Sequence, residues 1–125
     1  MTVKEEIEKF APYPCSDWLG KPSLLINNQQ LNILQISDHV WQKPGRENIT
    51  LELIQRLVRK LNHDHFIPEG RKDNKEFFKL EPAWDKGKSY KLIWYLKDND
   101  NSLWIKTCHQ TKKKYKNGNE KKPRL

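Results

Sequence analysis

The hydrophobic residues of the chain follow two patterns, and the first has the spacing of an α-helix. Between Asn48 and Leu61 the apolar residues recur at intervals of three and four, which places them on one side of a helix. Asn48 or Thr50 can cap this helix, because an oxygen in the side chain accepts hydrogen bonds from free amides of the first turn. The apolar stripe consists of Ile49, Leu53, Ile54, Leu57, Val58 and Leu61.

The second pattern is alternation, and it is clearest near the end of the chain. Residues 90–97 (YKLIWYLK) and 103–109 (LWIKTCH) flank DNDNS, a cluster of turn formers, and together they predict a β-hairpin. Unbroken alternation places Thr107 on the face of Ile105 and places Cys108 on the face of Lys106. Both faces carry apolar residues, which is typical of strands inside a sheet.

Weaker patterns complete the prediction. Residues 1–11 read as a short helix that Pro12 and Pro14 end, and shorter strands are expected at 24–26, 31–36 and 76–81. The order of elements predicts an α+β fold, in which an antiparallel sheet of about four strands packs on one long helix. We expect an N-terminal helical and loop extension (1–30), an α+β core domain (31–110) and a basic C-terminal tail (111–125).

Charge distinguishes the end of the chain from the rest. The 125 residues include 24 Lys and Arg against 16 Asp and Glu, a formal charge of +8. Residues 106–125 hold eight basic residues and one acidic residue, Glu120, which leaves 16 basic and 15 acidic residues in the first 105. A basic end on a nearly neutral domain favours nucleic acid or another polyanion as a partner.

Several classes of protein are disfavoured. No run approaches the ~18 apolar residues of a membrane span, so we expect a soluble, cytoplasmic protein that does not enter the membrane. Cys15 and Cys108 lack metal-ligand spacing, and His63 and His65 have no third ligand nearby, so neither a metal nor another cofactor is predicted. The motifs of P-loop enzymes and serine hydrolases do not occur either.

Histidines are the candidate catalytic groups, because histidine titrates near neutral pH. His39 follows a predicted strand with Arg46 close behind it, and His109 ends the last strand beside Lys106. Two such histidines can transfer protons while cations stabilise a phosphorane, which is the chemistry of RNA cleavage without a metal. A purely structural role for either histidine remains the alternative.

The basic tail is a candidate surface for nucleic acid. Lysines contact phosphates without reading sequence, and an aromatic side chain among them can stack on a base. Trp41, beside His39, is a second candidate for base stacking, whereas Trp94 is expected in the core and Trp18 and Trp84 are expected to hold loops against it. The alternative is that the tail only increases solubility. The tail residues in question are Lys112, Lys113, Lys114, Tyr115 and Lys116.

Two segments resemble known bacterial families. Residues 36–43 (ISDHVWQK), with Ile49-Thr50 at the start of the long helix, are similar to a family of small uncharacterised bacterial domains. The predicted hairpin, which continues into HQTKKKY, resembles the closing strands of RelE/ParE-type toxins. Those toxins belong to a broader group of metal-independent ribonucleases that includes colicin D-like, colicin E5-like and contact-dependent inhibition toxins. Their plan of helices followed by a four-stranded antiparallel sheet agrees with the order predicted above.

The resemblance implies a function and a set of residues. It implies a metal-independent ribonuclease of toxin type that acts on RNA and is restrained by a cognate acidic antitoxin or immunity protein. His39 and Lys43 match the first pattern. The catalytic set consists of His39 and His109 as general base and general acid, with Lys43, Arg46 and Lys106 as electrostatic clamps. Two alternatives stay open: a non-catalytic nucleic-acid-binding protein and a protein-interaction module with a basic tail. The positions matched in the second pattern are Tyr90, Lys91, Lys106, His109, Lys112 and Tyr115. Of these, Tyr90, Lys91, Lys112 and Tyr115 are expected to contact nucleic acid.

Overall fold

The computed structural model of the protein describes residues 8–42 and 44–112. Strands dominate this part of the chain, and its three helices are short. The helices are α1 (Cys15–Trp18), α2 (His39–Gln42) and α3 (Leu51–Arg59). The strands are β1 (Phe10–Pro14), β2 (Leu24–Ile26), β3 (Gln29–Leu31), β4 (Ile33–Ser37), β5 (Gly70–Lys72), β6 (Lys75–Asp85), β7 (Lys88–Lys97) and β8 (Ser102–Gln110).

The main sheet has six strands in the order β1-β4-β8-β7-β6-β5, and β2 and β3 form a separate hairpin. Strand β4 runs parallel to β8, while the other neighbours in the main sheet are antiparallel. The prediction of about four antiparallel strands on one long helix is therefore wrong. The sheet is larger and mixed, because β4 and β8 pair across a separation in sequence that local patterns do not reveal.

Strand β1 replaces the expected N-terminal helix where the structure describes that segment. Residues 1–7 lie outside the described part, but Phe10–Pro14 is strand and pairs with β4. Pro12 and Pro14 fit here because β1 is the outermost strand, where a missing backbone N–H need not break a ladder. The N-terminal segment thus contributes to the same sheet as the strands after residue 30.

Helix α3 begins as the sequence predicts but is shorter. The Thr50 hydroxyl accepts a hydrogen bond from the Leu53 amide at 3.1 Å, so Thr50 is the N-cap. The helix ends at Arg59, and His63 turns the chain with a φ of 70°. All six residues of the predicted apolar stripe are buried. The stripe is thus confirmed, although only part of it is α-helix.

The three long strands form a meander. Two residues, Lys86 and Gly87, connect β6 to β7 in left-handed conformations, with φ of 51° and 81°. The predicted strand at 76–81 is thus longer in the structure, where β6 extends to Asp85. The predicted hairpin is confirmed, and Tyr95 of β7 pairs with Trp104 of β8.

Strand β8 contains a bulge in this hairpin. Ile93 pairs with Thr107, but the next residue, Trp94, pairs with Ile105. Lys106 is therefore an extra residue on β8, and an extra residue interrupts the alternation of side chains.

The bulge changes which side chains of β8 reach the surface. Ile105 and Cys108 are both buried at 0% exposure, whereas Lys106, Thr107 and His109 are partly exposed. The expectation of unbroken alternation, with Thr107 beside Ile105 and Cys108 beside Lys106, is therefore wrong. Because of the bulge, His109 lies on the more exposed face.

The main sheet has two unlike faces. The face that packs on α3, here called the core face, carries large buried side chains, and Trp94 stacks on Phe78 with ring centroids 5.4 Å apart. The opposite face, here called the open face, carries partly exposed lysines and aromatic residues. None of the helices in the described ranges is long and apolar enough to cross a membrane.

Candidate functional site

The two candidate histidines follow neighbouring parallel strands. The paired segment ends where Ile36 of β4 lies opposite Ile105 of β8. His39 begins α2 just after β4, and His109 lies near the end of β8. Because parallel strands run in the same direction, both histidines lie beyond the same end of the paired segment. Helix α2 also contacts β8, so the element that carries His39 packs on the strand that carries His109.

Glu8 connects several groups at this end of the sheet. Lys106 Nζ donates a hydrogen bond to Glu8 Oε1 at 2.7 Å, and the buried Ser37 hydroxyl donates to Glu8 Oε2. His39 Nδ1 lies 3.7 Å from the same Oε2, and the backbone amide of His39 donates to Ser37 Oγ at 3.0 Å. The carboxylate therefore holds Lys106 and lies beside the imidazole.

The pKa of Glu8 is lowered. Burial alone would raise this pKa, because it disfavours the charged carboxylate. The hydrogen bonds from Lys106 and Ser37, with the positive charge of Lys106 and the neighbouring His39, outweigh burial. Glu8 is consequently ionised at neutral pH, and Lys106 is engaged by Glu8 rather than directed at solvent.

Arg46 connects the loop after α2 to β8. Its Nη1 donates to the Thr107 hydroxyl at 3.3 Å and to the Cys108 carbonyl at 3.1 Å. Thr107 and Cys108 immediately precede His109, so the guanidinium lies beside the backbone that positions this histidine. This contact brings a fourth predicted catalytic residue, after His39, His109 and Lys106, to this end of β8.

His109 lies opposite Lys91 on the neighbouring strand β7. Residues opposite each other in antiparallel strands point to the same face, so the imidazole and the ammonium share the open face. Both side chains are partly exposed. The pair therefore combines a group that can transfer protons with a cation on an accessible surface.

Two residues that were predicted to contact nucleic acid differ in accessibility. Tyr90 is 4% exposed and belongs to the hydrophobic core, where burial, with the charge of Asp85, raises its pKa. Its ring packs inside the protein rather than on the surface. Trp41 lies on α2 with 37% exposure, which leaves part of the indole accessible.

The basic tail is described only at its beginning. Lys112 is exposed and follows β8 without regular structure. Five predicted residues lie outside the described part of the chain: Lys43, Lys113, Lys114, Tyr115 and Lys116.

The sequence did not point to Glu8, nor to three aromatic residues of the open face. Glu8 lies in a mixed acidic and basic segment, and no spacing there signals a contact 98 positions away. Trp104 and Tyr95 lie in the predicted hairpin and Phe77 in the predicted strand at 76–81, but none of the three was singled out as a functional residue. The available signal was their position among alternating lysines. Alternation along β8 places Trp104 on the other face of the sheet from its neighbour Ile105, and therefore away from the core.

A polar groove of about 730 Å³ lies between two turns, apart from the predicted residues. Asn27, Asn28 and Asn99 adopt left-handed φ values of 51°, 63° and 56°, which asparagine tolerates better than most residues. Within the described ranges, no group of three or more histidine, cysteine, aspartate or glutamate side chains is arranged to hold a metal ion. The residues that line the groove are Asn27, Asn28, Gln29, Asn99, Asp100 and Asn101.

Comparisons of the chain with models of protein families, with curated proteins and with solved structures found no match.

Proposed function

We propose that this protein is a metal-independent ribonuclease of toxin type that cleaves RNA at the shared end of β4 and β8. The parallel pairing of these strands supports the proposal best, because His39 and His109 follow it at the same end. Two cations lie near His109: Arg46 donates to the backbone carbonyl of Cys108, and Lys91 lies opposite His109 on β7.

The proposed chemistry requires only proton transfer and charge stabilisation. One histidine removes the proton of a 2′-hydroxyl, whose oxygen then forms a bond to the adjacent phosphorus. The bond from phosphorus to the 5′-oxygen breaks, and the other histidine protonates that oxygen. The products are a 2′,3′-cyclic phosphate and a 5′-hydroxyl, so no oxidant or second substrate is needed.

The neighbouring charged groups have complementary roles in this proposal. Lys91 and Arg46 stabilise the extra negative charge of the phosphorane. Glu8 orients His39, since a small rotation of the imidazole would bring Nδ1 from 3.7 Å to hydrogen-bonding distance of the carboxylate. Lys106 holds Glu8 in place, and the lysines from Lys112 onwards contact the RNA backbone.

The test is cleavage of a defined RNA by purified protein in the presence of a chelator. We expect His39→Ala and His109→Ala each to reduce the rate by about 10²- to 10⁴-fold. His65→Ala is the matched control, because His65 is an exposed histidine in a loop away from this end of the sheet, and it should cleave like the wild type. A substrate with a 2′-deoxy sugar at the cleaved position should resist cleavage.

Two outcomes would refute the proposal: wild-type protein that leaves RNA intact, or equal cleavage by the wild type, His39→Ala and His109→Ala. Salt-dependent binding without cleavage, unaffected by these variants, would instead identify a non-catalytic nucleic-acid-binding protein.

The proposal also implies a partner and a compartment. A ribonuclease of toxin type acts on RNA in the cytoplasm and needs a protein that restrains it there. The basic residues favour an acidic antitoxin or immunity protein. Coexpression with the product of a neighbouring acidic gene should yield a stable complex that no longer cleaves RNA.

A further inference from the structure

Three aromatic side chains form a row across the open face, here called the aromatic row: Phe77 of β6, Tyr95 of β7 and Trp104 of β8. Phe77 pairs with Tyr95, and Tyr95 pairs with Trp104, so the row crosses three adjacent strands in register. The ring centroids of Phe77 and Tyr95 are 5.4 Å apart, and those of Tyr95 and Trp104 are 5.7 Å apart. Phe10 of β1 packs edge-on against two of these rings, with its centroid 5.1 Å from that of Trp104 and 6.3 Å from that of Tyr95. Phe77 and Trp104 are partly exposed, and Tyr95 between them is 5% exposed.

Lysines flank the aromatic row on both sides. Lys75 and Lys97 pair with each other on one side of the row. Lys75 Nζ lies 4.8 Å from the centre of the Tyr95 ring, and Lys97 Nζ lies 4.1 Å from the centre of the Trp104 ring. On the other side, Lys79 follows Phe77 by two positions and Lys91 lies further along β7.

The charge of this surface is unbalanced. Besides Lys75, Lys79, Lys91 and Lys97, the open face carries Lys106, whose charge Glu8 neutralises. Asp100 accepts a hydrogen bond from Trp104 Nε1 at 2.8 Å and adds one negative charge at the edge of the row. The open face therefore carries four lysines besides the Glu8–Lys106 pair, and Asp100 lies at the edge of the aromatic row.

We propose that the aromatic row and its flanking lysines bind the unpaired nucleotides of a single-stranded nucleic acid. Alternating cationic and aromatic side chains match a strand that presents phosphates and flat bases at regular intervals. Base stacking on an aromatic ring is stronger than a solvent-exposed cation–π contact. A base can therefore displace the ammonium of Lys97 from Trp104, and the released lysine can contact a phosphate.

A duplex fits this surface poorly. Its bases are already stacked and paired, so only its phosphates can meet the lysines. An apolar protein surface also fits poorly, because it would remove four ammonium groups from water without compensation. The surface extends from Trp104 to Lys91, which lies opposite His109, so a strand bound here runs toward the proposed cleavage site.

The experiment measures binding by fluorescence anisotropy, with labelled oligonucleotides that cannot be cleaved. Three probes are compared. A 2′-O-methylated oligouridine represents single-stranded RNA, the corresponding DNA oligomer represents single-stranded DNA, and a hairpin represents a duplex. We expect the wild type to bind either single strand at least tenfold more tightly than the duplex. Because 2′-O-methyl and deoxy sugars prevent cleavage, binding is tested independently of the proposed ribonuclease.

The variants test each part of the surface. Lys75→Gln with Lys97→Gln should weaken binding about tenfold and reduce the slope of log K against log salt concentration by about 1.4, the value for two phosphate contacts on a single strand. Lys21→Gln with Lys88→Gln is the charge-matched control, since both lysines are exposed and lie elsewhere, and it should keep most of the affinity.

Trp104→Leu tests stacking, because it keeps an apolar side chain but removes the aromatic ring. We expect a loss of about 5- to 100-fold, with circular dichroism confirming that the sheet is intact. Trp104→Phe should retain most of the affinity.

Equal binding of duplex and single strands, or equal losses in the two double-lysine variants, would overturn this inference. Failure to bind any of the oligonucleotides, together with binding of an acidic protein to this surface, would also overturn it. Protein that binds single strands but never cleaves RNA would refute the ribonuclease and leave the binding surface standing. If the wild type cleaves RNA but the Lys75, Lys97 and Trp104 variants bind single strands as well as the wild type does, the binding surface is refuted and the ribonuclease is left standing.

Discussion

Glu8 and Lys106 form an ion pair of 2.7 Å although 98 positions separate them in the sequence. The pair joins the segment before β1 to the bulge of β8. It also brings a carboxylate beside His39, whose Nδ1 lies 3.7 Å from Glu8 Oε2.

Replacing Glu8 by Gln should destabilise the protein at neutral pH. The folded-state pKa of Glu8 is lowered, so its contribution to stability is complete above the unfolded pKa of about 4.3 and is lost as pH falls through the folded pKa. We expect Glu8→Gln to lower the free energy of unfolding by about 1 kcal/mol at pH 7, with the difference narrowing below about pH 4.3. Urea unfolding of the wild type and Glu8→Gln at several pH values measures this difference in the free energy of unfolding.

The control for Glu8 is Glu69→Gln, because Glu69 is exposed in the loop before β5. Its stability should match the wild type across the same pH range. A difference between wild type and Glu8→Gln that stays constant down to pH 3 would contradict the assigned role of the ion pair.

Replacing Arg46 should affect cleavage more than stability. Its two hydrogen bonds to β8 lie beside His109, and their loss should cost about 1 kcal/mol of unfolding free energy. We expect Arg46→Ala to lower the rate of RNA cleavage at least tenfold. Arg71→Ala removes an exposed guanidinium from β5 and should leave cleavage unchanged. Equal rates for the two variants would exclude Arg46 from the site.

The two cysteines should be unreactive in the native protein. Burial raises the pKa of the Cys15 thiol to about 11 and that of the Cys108 thiol to about 12. Few thiolates therefore exist at pH 8, and neither sulfur is accessible. We expect no labelling by a thiol reagent until the protein is unfolded, and two labelled thiols afterwards. Rapid labelling of native Cys108 would show that the bulge does not bury it.

Replacing Thr50 by Ala should remove the cap of α3. The Thr50 hydroxyl satisfies the Leu53 amide, and the loss of such a cap costs about 1 kcal/mol. Thr50→Ser keeps the hydroxyl and should retain most of the stability. Denaturant unfolding of the two variants measures the difference, and equal stability would mean that the cap contributes nothing.

Local patterns predicted the parts of the fold that local interactions determine. The stripe of α3 and the β7–β8 hairpin need only helical spacing, alternation and turn formers, and both are present. The pairing of β4 with β8 depends on contacts that are distant in sequence. Strand β1 was missed because its prolines usually end regular structure, whereas an edge strand tolerates them.

The candidate site, like the fold, was predictable only where the residue types themselves indicate the chemistry. Chemistry alone singled out His39 and His109, and the structure places both beyond one end of the parallel pair. The face on which His109 lies could not be derived, because one inserted residue, Lys106, reverses the alternation. Glu8 could not be foreseen, because only the folded chain brings it to Lys106.

The parallel pair of β4 and β8 also has a consequence during synthesis. Strand β8 is the last strand of the described chain, while β4 lies in its first third. A nascent chain that ends before residue 102 has neither the parallel pair nor the Glu8–Lys106 contact, and it lacks His109. The proposed cleavage site can therefore form only after β8 has been synthesised and has left the ribosome.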